Sequence, residues 1–425
     1  MPYPLPIVSC SSEIRIMCDR YKDILGCHYK AFVAVLCGTI FGVANISFIF
    51  RFFLFSPSVS SISRLFNDLE LAPKLNGRYR RRLKSILAKM DKDPCRYLWA
   101  VDDTLIPHWG KKIWGTYYWH DHNTKGSIHG HKLMVLGLVD TRRKTLIPVF
   151  WEILHREQDN IEHEKGWEVA LRLLDRAVEY GFPPSTIVMD SWFSGRELIE
   201  GLTERGFDYV LEIKSNRIVD KRGRKTITQS VTDFFSQNTR RKVFYLGRKK
   251  WAAEAILKLK GLEIKLKIVA MANKKGLAHD CFAYYVSNKL TWDASKIWGI
   301  SRDRWTIEVQ FRELKQLFTL GGAAVRSKQA VEISLSISMI ALTEIRLEQL
   351  SRADASKNQH GRPIPAISIV QEIQLRSQRM GLFKLANPAQ STITDRFQTR
   401  LALKNFRGKP TEGPKKMEPF MNTGS

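Results

Sequence analysis

Carboxylates in three distant stretches are the residues of this sequence best suited to chemistry. Asp102 and Asp103 stand in VDDTLIPHWG, directly after the apolar run Tyr97-Leu98-Trp99-Ala100. Asp190 stands in VMDSWFSG and Glu308 in SRDRWTIEVQFRELKQLF. An acid at the end of a buried strand is costly unless another charge offsets it. Hard oxygen ligands of this kind suit Mg²⁺ or Mn²⁺. Two such ions about 3.5–4 Å apart can activate a water and stabilise the leaving oxygen of a phosphodiester. Their charge would also offset the cost of the acids.

Patterning predicts the elements that must position these groups. Residues 97–103 read as a first strand, 131–140 as a second and 145–154 as a third. The short turn between the last two suits an antiparallel meander. Trp167, Ala170, Leu171, Leu174 and Val178 recur at helical spacing over about 164–181, and Gly181 and Pro183-Pro184 end that helix. Thr186 to Met189 is a short buried strand ending on Asp190. A helix over about 194–205 follows, closed by Gly206, and Tyr209 to Ile213 is a fifth strand. In a βββαβαβ sheet whose first and fourth strands are neighbours, the aspartates meet at one edge. The helix at 301–318 has an apolar face of Ile307, Phe311, Leu314 and Phe318, and another face of Arg304, Glu308, Arg312 and Lys315. Alone, that second face is equally an i,i+4 ion-pair ladder. With the strand ends it becomes a third acid beside a basic stripe that could neutralise DNA phosphates.

The chain has 425 residues, with 68 Lys+Arg against 42 Asp+Glu and a net charge of +26. This excess favours a polyanionic partner, nucleic acid first. Cysteines at 10, 18, 27, 37, 95 and 281 form neither a zinc spacing nor a disulfide framework, which fits a reducing cytosol. Ala31 to Phe50 is a run of twenty residues without a charge. Its length would span a bilayer, but Asn45, two glycines and Ser47 dilute it. Two packed core helices broken near Gly42 explain it equally well. Ser58 to Leu71 reads as a capped helix, and Arg78-Tyr79-Arg80-Arg81-Arg82-Leu83-Lys84 as a cationic helix start, a phosphate-contacting or solvated face. Residues 217–284 read as a β-rich insertion with a hairpin around Gly261, and basic clusters at 221–225, 240–242 and 248–250. A strand at 281–287, an apolar helix at 332–350, a helix near 366–380 and a basic, disordered tail complete the chain.

The region 97–318 resembles the DDE transposases of bacterial insertion sequences, in the subgroup with a Tyr-x2-Arg-x3-Glu-x6-Lys signature. Arg304, Glu308 and Lys315 stand at that spacing, with Ser301 where the signature has Tyr. The Asp-Thr pair of the family maps its first acid to Asp103 rather than Asp102. VMDSWFSG supplies the second acid, Asp190, and YVLEIKSN resembles the fifth strand, with Lys214 at its end. The resemblance implies an α/β, ribonuclease-H-like mixed sheet flanked by helices, with a β-rich insertion before the Glu. It divides the chain into a helical DNA-binding domain (1–95), a catalytic core (96–216 and 285–350), the insertion (217–284) and a helical dimerisation region with a basic tail (351–425). It implies that Asp103, Asp190 and Glu308 hold two Mg²⁺ or Mn²⁺ ions, and that Arg304, Lys315 and Arg312 hold phosphates. The partners implied are terminal inverted repeats, target DNA and a second copy of the chain. The place implied is the bacterial cytoplasm, at the nucleoid and not in a membrane. A hairpin at the excised end is a further implication.

Other candidates are weighed beside these. His120, His122, His129 and His131 cluster in YYWHDHNTKGSIHGH, where a zinc site competes with substrate contacts or a polar turn. Trp251, in basic surroundings, could stack on an unpaired base or pack the insertion. His108 and Trp109 follow Asp103 closely enough to touch a substrate. Two rivals to a transposase stay open: a relative that binds DNA without cutting it, and a membrane protein with a basic cytosolic domain.

Overall fold

The computed structural model describes residues 9–43, 49, 57–88, 96–110, 112–121, 125–156, 164–221, 227–237, 243–247, 250–273, 281–355 and 365–386. The basic clusters at 222–225, 240–242 and 248–249 and the tail lie outside these residues, as do Cys95 and His122. The N-terminal elements are α1 (Ser12–Asp19), α2 (Lys22–Leu25), α3 (Tyr29–Ile40), α4 (Val59–Phe66) and α5 (Leu71–Leu87). Serines start two of them: Ser11 accepts from the Ile14 N–H and Ser58 from the Ser61 N–H, each satisfying an amide left over by the first turn. The apolar run forms α3, in which Ala31 to Ile40 are all buried. It ends at Phe41-Gly42, where Gly42 takes φ +71°, a conformation cheap only for glycine.

The basic run lies inside α5, not at a helix start, and its cations divide: Arg80 is buried, Arg78 and Arg82 are half-buried, and Arg81 and Lys84 are exposed. Arg80 is buried, donates to the Val149 carbonyl and holds its guanidinium 4.1 Å from the centre of the Phe150 ring. Arg78 donates to the Arg20 carbonyl. For Arg78, Arg80 and Arg82 this corrects the reading of a phosphate-facing or solvated surface, which Arg81 and Lys84 keep: Leu75, Tyr79 and Leu83 set the buried stripe, and the arginine stems on its flanks pack with it.

The sheet begins with β1 (Tyr97–Pro107), β2 (Tyr117–Asp121), β3 (Gly126–Asp140) and β4 (Thr145–Ile153). Helix α6 (Gly166–Glu179), β5 (Thr186–Met189), α7 (Arg196–Glu204) and β6 (Tyr209–Ile213) follow. β4–β3–β1 is antiparallel, and β1–β5–β6 is parallel. This is the strand order and direction of a ribonuclease-H-like core, as the βββαβαβ pattern predicts. β1 is longer than expected and carries its acids in mid-strand, because β3 keeps pairing with it out to Pro107↔Gly130. Its parallel neighbour stops earlier, at Ala100↔Val188, so Asp102 and Asp103 project past the end of β5, where Asp190 stands. The β2–β3 hairpin is absent from the sequence reading; its strand YYWHD falls inside the histidine-rich segment. Gly130 is required by closeness. A Cβ there would lie 2.0 Å from the Ile106 carbonyl oxygen. Gly130→Ala should cost roughly 1–3 kcal/mol of unfolding free energy in urea titrations, as overpacking of a fixed backbone does.

The insertion continues the same sheet. It comprises β7 (Ile218–Lys221), β8 (Ile227–Ser230), α8 (Val231–Gln237), β9 (Val243–Gly247), β10 (Lys250–Leu259), β11 (Leu266–Ala272) and β12 (Cys281–Ser287). β12 pairs with β6, β11 with β12 and β10 with β11. The β10–β11 hairpin turns around Gly261 (φ +84°) as its alternation predicts. Its lysine face is not uniformly cationic, since Lys267 is buried against Glu254 at 3.0 Å.

The expected single helix at 301–318 is two, α9 (Ala294–Asp303) and α10 (Trp305–Gln316), joined at Arg304. The Arg304 N–H donates to the Ser301 carbonyl and the Ile307 N–H to the Arg304 carbonyl, the tightened three-residue spacing that marks a change of axis. Helices α11 (Lys328–Ala355) and α12 (Ala366–Ala386) complete the fold. α3 and α5 pack on α11, so the apolar run lies against protein. Their junction holds a buried acid, Glu344, with no exposed side-chain surface. Arg20 and Arg82 both bond its carboxylate, and the Tyr21 hydroxyl donates to it at 3.3 Å.

Candidate active site

One cleft of about 1580 Å³ opens where β1 outruns β5. Asp102, Asp103, Asp190 and Glu308 all line it, with Lys132, Lys214, Arg304 and Lys315. The acids are not equivalent. Side chains alternate along a strand, so Asp102 and Asp103 point to opposite faces of β1. Asp102 shares its face with Ile106, which meets the chain at Gly321 just beyond α10. On that face Arg304 lies 3.7 Å from Asp102 and 2.8 Å from Glu308. Asp103 pairs instead with Lys132 at 3.0 Å, and its cross-strand neighbour Met134 faces Gly166 of α6. The geometry therefore puts Asp102 beside Glu308, and Asp103 on the other side of the strand. The Asp-Thr pairing favoured Asp103 because adjacency to Thr104 carries no information about faces.

Electrostatics follow the same division. Asp102 is pushed up to about 8 by burial, then by the nearby charges of Asp190 and Asp103, with Arg304 opposing. Glu212 on β6 is raised by burial and by Asp190 and Glu308, again with Arg304 opposing. Arg304 thus sits among Asp102, Asp190, Glu308 and Glu212, all of which strengthen its hold on its proton against the opposing effect of burial. Acids outnumber cations there. The donor set is carboxylate oxygen, the chemistry of a Mg²⁺ or Mn²⁺ site. Among the described residues, no three His, Cys, Asp or Glu side chains gather closely enough to enclose an ion; the Arg304 guanidinium contacts both Asp102 and Glu308. The fit is in chemistry and in shared position at the cleft.

Other expected residues divide in the same way. Lys214 and Lys315 line the cleft, whereas Arg312, one turn before Lys315, is exposed and lies outside its lining. Trp251 is not among the residues that line it; it pairs across β10–β11 with Ala272 and lies 4.8 Å from the Tyr245 ring. Ser301 donates to the Trp298 carbonyl and lies beside the Tyr285 hydroxyl, so a phenol from β12 stands close to the position where the signature carries its own. Sequence reasoning passed over Glu212, Lys132 and Trp192. Glu212 had a visible signal, a single acid inside the apolar strand YVLEI. Lys132 and Trp192 had none beyond closeness to the aspartates.

The histidines form a proton-bonded lock beside the cleft. The His131 Nε2–H donates to the Trp114 carbonyl at 2.7 Å, which leaves its Nδ1 to accept from His108 Nε2 at 2.8 Å. Both His131 nitrogens are committed, so the zinc reading has no support at this residue. Burial, with His131 and His129 adding to it, pushes His108 down to about 4. Unfolded, an imidazole binds its proton near 6.5. The folded state therefore holds fewer protons between those values, and stability falls as pH drops from about 6.5 towards 4. His108→Gln should flatten the change in urea midpoint across that window.

Comparisons with known proteins complete the description. No curated protein matches the chain. A structural comparison finds a piggyBac transposase, solved by cryo-EM as a synaptic complex with hairpin DNA. The two share 10% sequence identity over 91% of this chain and 77% of that one, at a TM-score of 0.45. The family model that matches is described as DDE superfamily endonuclease and covers residues 58–234. That match includes Asp102, Asp103 and Asp190 and ends before Glu308. Over residues 58–234, the stretch that carries the strand-borne aspartates of the cleft, the chain is similar to the DDE superfamily endonucleases.

Proposed function

We propose that this protein is a DNA transposase of the insertion-sequence type, cutting and joining DNA strands in the cleft. The observation that carries the reading is the convergence of Asp102, Asp190 and Glu308, from distant parts of the chain, on one cleft edged by Lys132, Lys214, Arg304 and Lys315. Asp102, Asp190 and Glu308 are the residues that would hold Mg²⁺ or Mn²⁺, two ions in the full site. The metal supplies an activated water and charge for the leaving oxygen. Arg304 holds Glu308 and Asp102 in place and meets the scissile phosphate. Lys214 and Lys315 take flanking phosphates, and the +26 charge draws the duplex in. The DNA is the element's terminal inverted repeats and then the target, engaged by a dimer in the bacterial cytoplasm. Glu212 and Tyr285 set the position of Arg304.

A cleavage assay on duplexes carrying the element ends tests this. Wild-type protein should nick or cut them with Mg²⁺ and not with EDTA. Asp190→Ala should lose about 10³-fold in rate, the scale for removing preorganised charge, while DNA binding persists. Equal cleavage by both proteins would reject the assignment. Persistent binding without any cleavage by wild type would favour the DNA-binding relative, for which Ser301 in the signature position is the specific support.

A further inference from the structure

The joint between α9 and α10 sets where Arg304 reaches. Asp303, the last residue of α9, is buried beside it. The Lys144 ammonium, from the turn between β3 and β4, bonds the Asp303 carboxylate. That turn is stiff. Asp140 Oδ1 accepts from the Arg142 and Arg143 N–H groups at 3.0 and 3.1 Å, and its Oδ2 from buried Arg96 at 2.8 Å. Lys144 itself takes φ +50°, a left-handed conformation that crowds a β-carbon and that glycine adopts readily. Backbone needs therefore do not select lysine here. Nor does the ion pair as a surface contact, because more than half of the Lys144 side chain is in water, where pairing adds little. What the ammonium reaches is a buried acid next to the residue whose guanidinium contacts Asp102 and Glu308. At the other end of α9, Glu254 on β10 accepts from the Ala294 N–H at 3.0 Å. The helix is thus pinned at both ends, and Arg304 leaves it directly after the second pin.

We propose that Lys144 is a positioning residue: through Asp303 it fixes the joint so that the Arg304 guanidinium falls between Asp102 and Glu308. The proposal rests on the catalytic reading above and deepens it, since the turn at the far end of β3 then helps to hold the acid cluster ready for its metal. Lys144 lies outside the lining of the cleft and acts only through Asp303.

Variants of the full chain separate this from a merely structural role. Lys144→Gly and Lys144→Ala lose the ammonium alike, but only the glycine variant escapes the crowded backbone. Both should lower kcat for Mg²⁺-dependent cleavage of the element-end duplex by about tenfold, the lower end of what groups behind metal-facing acids contribute, with KM unchanged. Their melting midpoints should differ instead, glycine above alanine. Lys144→Arg should recover most of the rate. Asp303→Asn should match the loss, and should add nothing to it in the double variant with Lys144→Gly. Mn²⁺ binding without DNA, read from the EPR signal of the free ion, should also weaken by about tenfold in Lys144→Gly. Wild-type kcat and Mn²⁺ affinity in Lys144→Gly overturn the proposal while leaving the catalytic reading intact. So does a loss of rate that follows the melting midpoints, with alanine far slower than glycine, which marks a structural role. Wild-type protein that binds no Mn²⁺ and cuts nothing overturns both readings.

Discussion

Asp102→Asn should abolish metal-dependent cleavage, with a loss of at least about 10³-fold, whereas Asp103→Asn should lose roughly 10–100-fold at most. The two residues are adjacent in sequence and both border the cleft, so the contrast tests strand geometry rather than composition. Asp102 shares its face of β1 with Arg304 and Glu308, and its proton affinity is raised by Asp190. Removing its charge removes an oxygen donor from the acid cluster. Asp103 pairs with Lys132 on the opposite face, and its replacement frees that lysine and lightens the repulsion on Asp102 without removing an oxygen donor from the face that carries Arg304 and Glu308. Rates measured under single-turnover conditions, with DNA affinity measured separately, decide the matter. An inactive Asp103→Asn beside an active Asp102→Asn would overturn the facing argument and return the first acid to Asp103.

The second large effect lies far from the cleft. Glu344→Ala should destabilise the protein by about 3 kcal/mol, because it leaves the largely buried Arg82 and the part-exposed Arg20 without their shared counter-charge. Glu344 has no exposed side-chain surface, and Arg82 is largely buried beside it. Burial already pushes the Arg82 guanidinium down to about 10, with the charges of Arg20 and Arg78 adding to that push. Arg20 reaches the same carboxylate from just after α1, and the Tyr21 hydroxyl adds a third bond. The pair thus ties α1 and α5 to α11. Urea unfolding followed by circular dichroism measures the loss, and Glu344→Gln should recover part of it by keeping the hydrogen bonds. Limited proteolysis should cut first among the N-terminal helices of the alanine variant. A midpoint unchanged from wild type would show that solvent, not Glu344, neutralises these arginines.

The core was legible because its signals are local. Each of the five core strands is an apolar run bounded by turn residues, and β5 and β6 fall where alternation and length place them. The position of Asp190 followed from the end of β5 alone. What escaped was set by partners. The length of β1 depends on β3 continuing to pair with it as far as Pro107, which no window on β1 can reveal. The choice between Asp102 and Asp103 depends on which helix covers which face. The arginines of α5 looked like a surface because their charge was read without the acid that receives them, and Glu344 lies hundreds of residues away. Arg304 was placed on a helix face, but the change of axis there comes from how α9 and α10 dock, not from any breaker residue.

The continuity of the sheet has a mechanical meaning. β6, β12, β11 and β10 are joined as consecutive neighbours, with one register shift at Met271/Ala272, and among them Glu212 sits directly across from Tyr285, the phenol beside Ser301. A push on the outer hairpin therefore reaches the arginine at the heart of the acids through stiff backbone, without a slack tether to absorb it. The outer hairpin and the acids around Arg304 are thus coupled as two ends of one plank.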